Sequence, residues 1–287
     1  MKREQKTSIL KVAIQGGKGS FHDQAAREYF ESDDLEMICC NSFEELFDQV
    51  GDRRADVAVM AIENTVAGSL LPNYSLLRDS GFSVIGEKFL RVSQHLMALP
   101  GQKLEEIREV YSHYMAIAQT RKFFKQYPLI KLIESEDTAL SAKKIAEEKI
   151  QGGAAIASRI AAEMYGLEII AEEIETNKKN FTRFLVLYKP NGEPKYKLEN
   201  PDKSSLSFSL PHKTGSLSQV LSIFSFYDLN LSKIQSIPIL GEGFRYHFLV
   251  DLTFDQFERY KQSLEAIRPL TIDLTLLGEY KKGKDLL

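Results

Sequence analysis

The chain has 287 residues, enough for a sizeable core and more than one domain. It is 43% apolar and 27% charged, which argues against a disordered chain, and no apolar run reaches the length of a membrane-spanning helix. A net charge of −3 argues against a nucleic-acid surface, so positive charge for an anionic ligand has to be local.

The N-terminal MKREQKTSILKVAI is charged but lacks a long apolar core, and does not read as a signal peptide. KVAIQ (11–15), a glycine-rich turn and DQAAREYF (23–30) read as strand, loop and helix. The turn, within IQGGKGSFHDQAA (14–26), sets backbone N–H groups where they can hold an anion, although a tight βα turn explains the glycines equally well. It matches neither the Walker A spacing nor G-x-G-x-x-G, so nucleotide binding has little support. The two cysteines, Cys39 and Cys40, are adjacent. Neighbouring Cα atoms lie about 3.8 Å apart, closer than disulfide geometry prefers. Free thiols fit a reducing cytoplasm. The histidines are scattered, no metal-ligand spacing appears, and no metal is expected.

DVAVMAI (56–62) reads as a fully apolar strand. AIENTVAGSLLPNYSLL (61–77) then sets Glu63, Asn64 and Thr65 at its carboxyl end, with Gly68-Ser69 opening the next helix. Capping explains Ser69; it does not explain a carboxyl beside an amide, which fits a site. FSVIGEKFLRVSQHLMALP (82–100) alternates like strand, with His95 as a packing residue. In VYSHYMAIAQTRKFFKQYP (110–128), Ser112 and His113 close a strand before a helix that ends at Pro128. Neither has a nucleophile partner, so a Ser/His triad has no support. GAAIAS (153–158) is another strand, with Ser158 as helix cap and Gly166 as stop. Repeated βα units predict parallel sheet with ligands at the carboxyl ends of strands. In NKKNFTRFLVL (177–187) a strand begins at Phe184, with Thr182 and Arg183 at its mouth. That pair is either a solvated strand start or part of a site.

YKPNGEPKYKLENPDKS (188–204) has no apolar period and reads as a linker. Beyond it SLSFSL (205–210) alternates, and Leu217, Val220, Leu221 and Phe224 mark an amphipathic helix. A strand through Leu231 and Ile234 runs to Pro238, and GEG (241–243) makes a turn. Phe244, Tyr246, Phe248 and Val250 alternate inward, a helix spans Phe254, Phe257 and Leu264, and TIDLTLL (271–277) closes as a strand. This is a βαββαβ, ferredoxin-like unit with antiparallel sheet and helices on one face.

GGKGSFHDQAA, AIENTVAGSLLPNYSLL, SHYMAIAQT, AAIASRIAAEMYGLEII and NFTRFLVL, in that order and spacing, resemble the prephenate dehydratase family. TGSLSQVLSIFSFYDLNLSKIQSIPI resembles the ACT regulatory domain that follows it there, and the likeness runs from about residue 10 to 280. The resemblance implies an α/β two-lobed catalytic domain of the type II periplasmic-binding-protein kind, with its site between the lobes. An α+β ferredoxin-like ACT domain follows. The implied boundaries are 8–190 for the catalytic domain (lobes 8–82 with 177–190, and 83–176), 191–203 for the linker and 204–282 for the ACT domain.

The implied reaction converts prephenate to phenylpyruvate with loss of carbon dioxide and water, in phenylalanine biosynthesis, with no cofactor. The family's catalytic threonine falls on Thr182, and Glu63 is the candidate proton source. Arg183 offers a planar fork to a substrate carboxylate. Phe184, Asn64, Thr65, Gly68, Ser69, Ser20, Ser112 and His113 are the remaining candidates for substrate contact. Gly215, Ser216, Leu217, Gln235 and Ser236 are candidates for binding L-phenylalanine as effector. A homodimer or homotetramer, a cytoplasmic location and a monofunctional enzyme without a fused mutase are implied as well. The chain departs from the family at Gly16-Gly17 (usually Gly-Pro), at Tyr114-Met115 (usually Pro-Gln) and at Thr65 (usually Ser). It also has Gln235-Ser236-Ile237-Pro238 for the usual Glu-Ser-Arg-Pro, which removes both charges near the expected phenylalanine site. Arogenate dehydratase, whose substrate differs by one amino group, fits the same residues. A non-catalytic amino-acid sensor is the alternative of another class, and Thr182-Arg183-Phe184 with Glu63-Asn64 speaks against it.

Overall fold

The structure is a computed structural model describing residues 9–190, 200–239, 241, 243 and 245–284. The first eight residues, most of the expected linker (191–199) and the inward-facing candidate Phe244 lie outside the described residues.

β1 (Leu10–Gln15) leads through the glycine turn into α1 (Phe21–Phe30), where the Ser20 hydroxyl oxygen accepts the Asp23 amide. β2 (Leu35–Cys40) and α2 (Phe43–Gly51), capped by Ser42, follow. β3 (Val57–Asn64) is buried through Ile62 and turns polar only at its last two residues. The chain then folds back as the short β4 (Gly68–Ser69), with Glu63 opposite Ser69 and Asn64 opposite Gly68. Gly68-Ser69 is therefore strand; the helix, α3 (Leu71–Ser80), begins later with Pro72 in its first turn and no side-chain cap. Proline suits that position because the first-turn N–H has no helical partner to lose.

After β5 (Ser83–Arg91) come β6 (His95–Ala98), β7 (Glu109–Ser112), α4 (Tyr114–Phe124), β8 (Lys131–Glu134) and α5 (Thr138–Glu147). β9 (Gly153–Ala157), α6 (Arg159–Tyr165), β10 (Glu168–Ala171) and β11 (Phe181–Tyr188) complete this part. Two sheets result, ordered β2-β1-β3-β11-β5, with β4 beside β3, and β10-β6-β9-β7-β8. β5 lies in the first sheet, so the lobe boundary falls after Arg91 rather than at 83. β11 starts at Phe181, so Thr182 and Arg183 are strand residues, not a preface to the strand. β1 pairs in parallel with β2 and β3, and β7 with β8 and β9. β6 runs antiparallel to β9 and β10, making the second sheet mixed.

The C-terminal part is β12 (Lys203–Ser209), α7 (Ser216–Phe226), β13 (Asn230–Pro238), β14 (Tyr246–Thr253), α8 (Phe257–Ile267) and β15 (Ile272–Tyr280). Its sheet is ordered β13-β14-β12-β15 and its neighbours are antiparallel, the arrangement of a split βαββαβ unit. Leu206, Phe208, Val220, Phe224, Val250 and Tyr260 are buried in its core. Tyr246, at the start of β14, is 39% exposed and does not join that core.

Contacts divide the chain into two compact units: Met1–Ser69 with Lys88–Phe184, and Leu70–Glu87 with Leu185–Leu287. Among the described residues no helix is long and apolar enough to cross a membrane.

Candidate active site

The polar residues at the end of β3 and the start of β11 form two separate pairs. Successive strand residues point to opposite faces, so Thr182 and Arg183 cannot share one, nor can Glu63 and Asn64. Asn64 Nδ2 donates to Thr182 Oγ1 at 2.9 Å and to Asn180 Oδ1 at 2.8 Å. Its Oδ1 accepts the amides of Val66 at 2.9 Å and Ala67 at 2.8 Å. The carboxamide thus engages both donors and both acceptor positions, which fixes its orientation and leaves nothing for a substrate. Asn64 thereby holds the Thr182 hydroxyl in place in this structure. Thr182 Oγ1, in a side chain 9% exposed, receives a hydrogen bond and keeps its own proton to donate.

The chain of amides continues into the second lobe. Asn180, 1% exposed, donates from Nδ2 to Gln119 Oε1 on α4 at 3.0 Å. Gln94 Nε2 approaches the same oxygen at 3.4 Å, and the Gln94 backbone N–H donates to the buried Glu175 Oε2 at 2.9 Å. Asn180, Gln119 and Gln94 escaped the sequence reading. Gln119 gave one usable signal: it lies three residues from the buried Ala116 on an otherwise apolar helix turn.

On the opposite face Arg183 Nη1 lies 3.4 Å from Glu63 Oε1, with the arginine side chain 4% exposed and the glutamate 27%. The guanidinium also sits 6.0 Å over the Phe89 ring. The Arg183 guanidinium is thus buried and paired with Glu63 in this structure. Glu63 neutralises that buried cation, so its part as proton source loses support.

The other candidates are occupied too. The Thr65 hydroxyl donates to the Lys179 carbonyl at 2.8 Å and accepts the Phe181 amide at 2.9 Å, stapling segment 179–181 to the end of β3. Ser112, fully buried, donates to the Ile156 carbonyl at 2.7 Å. Ser20, 2% exposed, caps α1. Phe184, 1% exposed, packs edge-on against His22 with centroids 5.0 Å apart. His113 caps α4 through Nδ1, and burial lowers its pKa against the opposing pull of Asp137 and Glu134. Gly68 has open space around it, and Ser69 sits on β4.

The glycine turn does not hold a free set of amides. Gly16 N–H donates to the Cys40 carbonyl at 2.9 Å, Gly19 N–H to Asp23 Oδ2 at 2.7 Å and Ser20 N–H to the Gly17 carbonyl at 3.1 Å. The Gly17 amide favours the charged form of Asp137, and the Lys18 amide that of Cys39. The anions of this turn are therefore the protein's own aspartates. Asp137 caps α5 in the second lobe, and burial raises its pKa despite the amides that favour its charge. Ser158 Oγ donates to the Gly19 carbonyl at 2.5 Å and Tyr165 to the Lys18 carbonyl at 2.8 Å. The first lobe's turn is thus clasped by α5 and α6 of the second.

In the C-terminal domain a cavity of about 140 Å³ is lined by Leu217, Tyr246 and Phe248, with Lys213, Ser216 and Arg245 among its polar residues. Gly215 stands beside it as the αL N-cap of α7. Gln235 and Ser236 lie on β13 and are not among the described residues lining it. Among the described residues no cluster of three or more His, Cys, Asp or Glu is arranged to hold a metal.

Carboxamides of Asn64, Asn180, Gln119 and Gln94 thus run from the Thr182 hydroxyl at the end of the first sheet to α4, which packs with the second. The prephenate dehydratase family profile matches residues 12–192. The bifunctional chorismate mutase/prephenate dehydratase of Aquifex aeolicus is 34% identical over 276 residues, covering 96% of this chain and 74% of that protein. Arogenate dehydratase 1 of Petunia hybrida is 35% identical over 290 residues, covering 95% of this chain and 67% of that protein. Among solved structures, prephenate dehydratase from Arthrobacter aurescens in complex with L-Phe has a TM-score of 0.83 at 27% identity, covering 95% of this chain and 90% of that one. GqqA, described as a quorum quenching acylase, has a TM-score of 0.84 at 27% identity, covering 95% and 98%. The chain belongs to the prephenate dehydratase family.

Proposed function

We propose that the chain is a prephenate dehydratase, a carbon–oxygen lyase. In this reaction the bond from the ring to its carboxylate breaks, and its electron pair enters the ring. The ring hydroxyl then leaves with its own pair and takes up one proton to become water. The ring becomes aromatic, so the balance closes as prephenate plus a proton to phenylpyruvate, carbon dioxide and water. No electron is gained or lost.

The observation that carries this reading is the state of Thr182. Asn64 fills one acceptor position of its oxygen and is itself held by four hydrogen bonds. The hydroxyl proton is left to point at a departing oxygen, where a fixed donor stabilises charge as it develops. Thr182→Ala is expected to lose about 10²-fold or more in kcat with KM little changed. Retention of turnover within a few-fold would remove Thr182 from the chemistry.

We read the catalytic part as a two-lobed domain of the type II periplasmic-binding-protein kind and the C-terminal βαββαβ domain as an ACT domain. L-phenylalanine is the effector in this reading, supported by the phenylalanine complex of the Arthrobacter relative and by the cavity beside Gly215. The assay is purified protein with prephenate, following phenylpyruvate by its ultraviolet absorbance in alkali, with and without phenylalanine. Arogenate in a parallel reaction decides the amino-group preference, which the plant relatives raise. Inertness toward both substrates would leave the sensor. Free thiols at Cys39 and Cys40 favour a cytoplasmic setting.

A further inference from the structure

Lys203 and Glu87 form a buried ion pair: Lys203 Nζ lies 2.9 Å from both carboxylate oxygens of Glu87. The residues are 5% and 4% exposed. Gly283 N–H adds a third hydrogen bond to Glu87 Oε1 at 2.9 Å. Lys203 opens β12, an inner strand of the C-terminal sheet, whereas Glu87 lies on β5, 116 residues earlier. Burying two charges costs desolvation that apolar residues of similar volume avoid, so such a pair is better explained by what it fixes than by stability.

What it fixes is segment 70–87. This segment groups with the C-terminal domain, although its neighbours on either side in the chain do not. It makes further contacts with that domain: Lys233 Nζ sits 5.8 Å over the Tyr74 ring, and the Gly278 backbone lies against the Val84 carbonyl. The residue before it is Ser69, at the end of the hairpin that starts from Glu63 and Asn64. Two residues past Glu87, on the same face of β5, is Phe89, whose ring supports the Arg183 guanidinium. Both flanks of a segment tied to the C-terminal domain therefore carry residues of the candidate site.

We propose that the Glu87–Lys203 pair is the positioning contact through which the C-terminal domain acts on the active site. It registers segment 70–87 on the C-terminal sheet, so a change of state in that sheet moves the hairpin after Asn64 and the strand carrying Phe89. The inference rests on the reading of the C-terminal domain as regulatory.

The test uses full-length protein as wild type, Lys203→Met, Glu87→Gln and the double variant Glu87→Leu/Lys203→Met. The double variant removes both charges together and so avoids leaving one buried alone. Each is measured for phenylalanine binding by calorimetry and for prephenate turnover with and without saturating phenylalanine. Binding is expected to stay within about threefold while the inhibition ratio falls about tenfold or more, in the folded double variant as in the singles. A pair with only a structural role would lower thermal stability and leave that ratio unchanged. Variants inhibited as strongly as wild type overturn the role of the pair and leave the regulatory reading standing. Wild type that turns over prephenate without responding to phenylalanine overturns the inference through its premise. Hydrogen exchange on wild type alone supplies an arm that needs no variant. Phenylalanine should change protection across residues 70–87, and an unchanged segment overturns the proposal.

Discussion

At the residue scale, the site is organised by what each polar group has left over after the protein has used it. Asn180 illustrates this. Its buried amide stands between Asn64 and Gln119, so Asn180→Ala removes one of the four bonds that orient Asn64 and, through it, Thr182. We expect kcat to fall about tenfold with KM within about threefold, because the variant misdirects a donor that acts in the transition state. Steady-state kinetics on prephenate decide it, and a change confined to KM would move Asn180 from positioning to substrate binding. The Thr-Arg-Phe and Glu-Asn stretches were legible in the sequence as a polar group at strand ends. Strand alternation divides them between two faces, so the adjacency of Thr182 and Arg183 in sequence separates them in space. Gly17 shows a departure with a physical consequence: its backbone amide favours the Asp137 charge, and the proline usual in the family has no N–H to do so. His22 gives a pH prediction. Burial lowers its pKa to about 4, and Nε2 accepts the Ala61 amide at 3.3 Å, which a protonated ring cannot do. Between the unfolded value of 6.5 and about 4 the unfolded chain binds the proton first, so stability is present above that window and is lost as pH falls through it. The loss is at most about 3 kcal/mol. Thermal melts across that range should show a smaller slope for His22→Phe than for wild type; identical slopes would assign the effect to another group.

At the element scale, periodicity located the strands and helices of the C-terminal domain and several of the βα units before it, because each has one continuous apolar face. It failed where a side chain overrides the pattern. Gly68-Ser69 resembles a helix start, yet Asn64 Oδ1 gathers the amides of Val66 and Ala67 and turns the chain back onto β3. No periodicity in residues 61–77 carries that information. The glycine turn was legible as a tight connection and not as a contact between lobes, since its partners Asp137, Ser158 and Tyr165 lie more than a hundred residues away. Gly19 is where this contact is tightest. Its φ is +83°, and a Cβ there would stand 3.0 Å from the Ala161 Cα, a backbone atom on α6. Gly19→Ala therefore combines a left-handed alanine with a clash that no rotamer relieves. We expect a loss of about 2 kcal/mol or more in unfolding free energy, measured by urea titration. We also expect a raised KM, because the lobes no longer seat against each other as they do here. A variant with unchanged stability and KM would show that the contact between turn and helix is dispensable.

At the scale of the whole molecule, composition and the linker-like stretch after Tyr188 suggest two domains that can be parted at residues 191–203. The contacts divide the chain differently, because Leu70–Glu87 groups with the C-terminal domain. Nothing local marks this segment: α3 and the first half of β5 read like any other βα unit, and their partners on β12, β13 and β15 come more than a hundred residues later. The consequence can be tested by cutting at the linker. A chain of residues 1–190 keeps Glu87 but loses Lys203 and the Gly283 amide, leaving a carboxylate in a place built for an ion pair. It also uncovers the side of α3 and β5 on which Lys233 and Gly278 rest, near Tyr74 and Val84, which are 5% and 1% exposed in the intact chain. Stranding one partner of a buried pair typically costs about 3–5 kcal/mol, and exposed apolar surface adds to that at about 25 cal/mol per Å². Together these approach the total stability of an ordinary domain, about 5–15 kcal/mol. The truncated chain is therefore expected to melt well below the intact protein or to aggregate, and Glu87→Leu in the truncated chain should recover part of the loss by removing the stranded charge. If residues 1–190 instead melt at the intact protein's temperature and turn over prephenate at its rate, segment 70–87 belongs to the catalytic domain alone, and the boundary drawn from the sequence is the physical one.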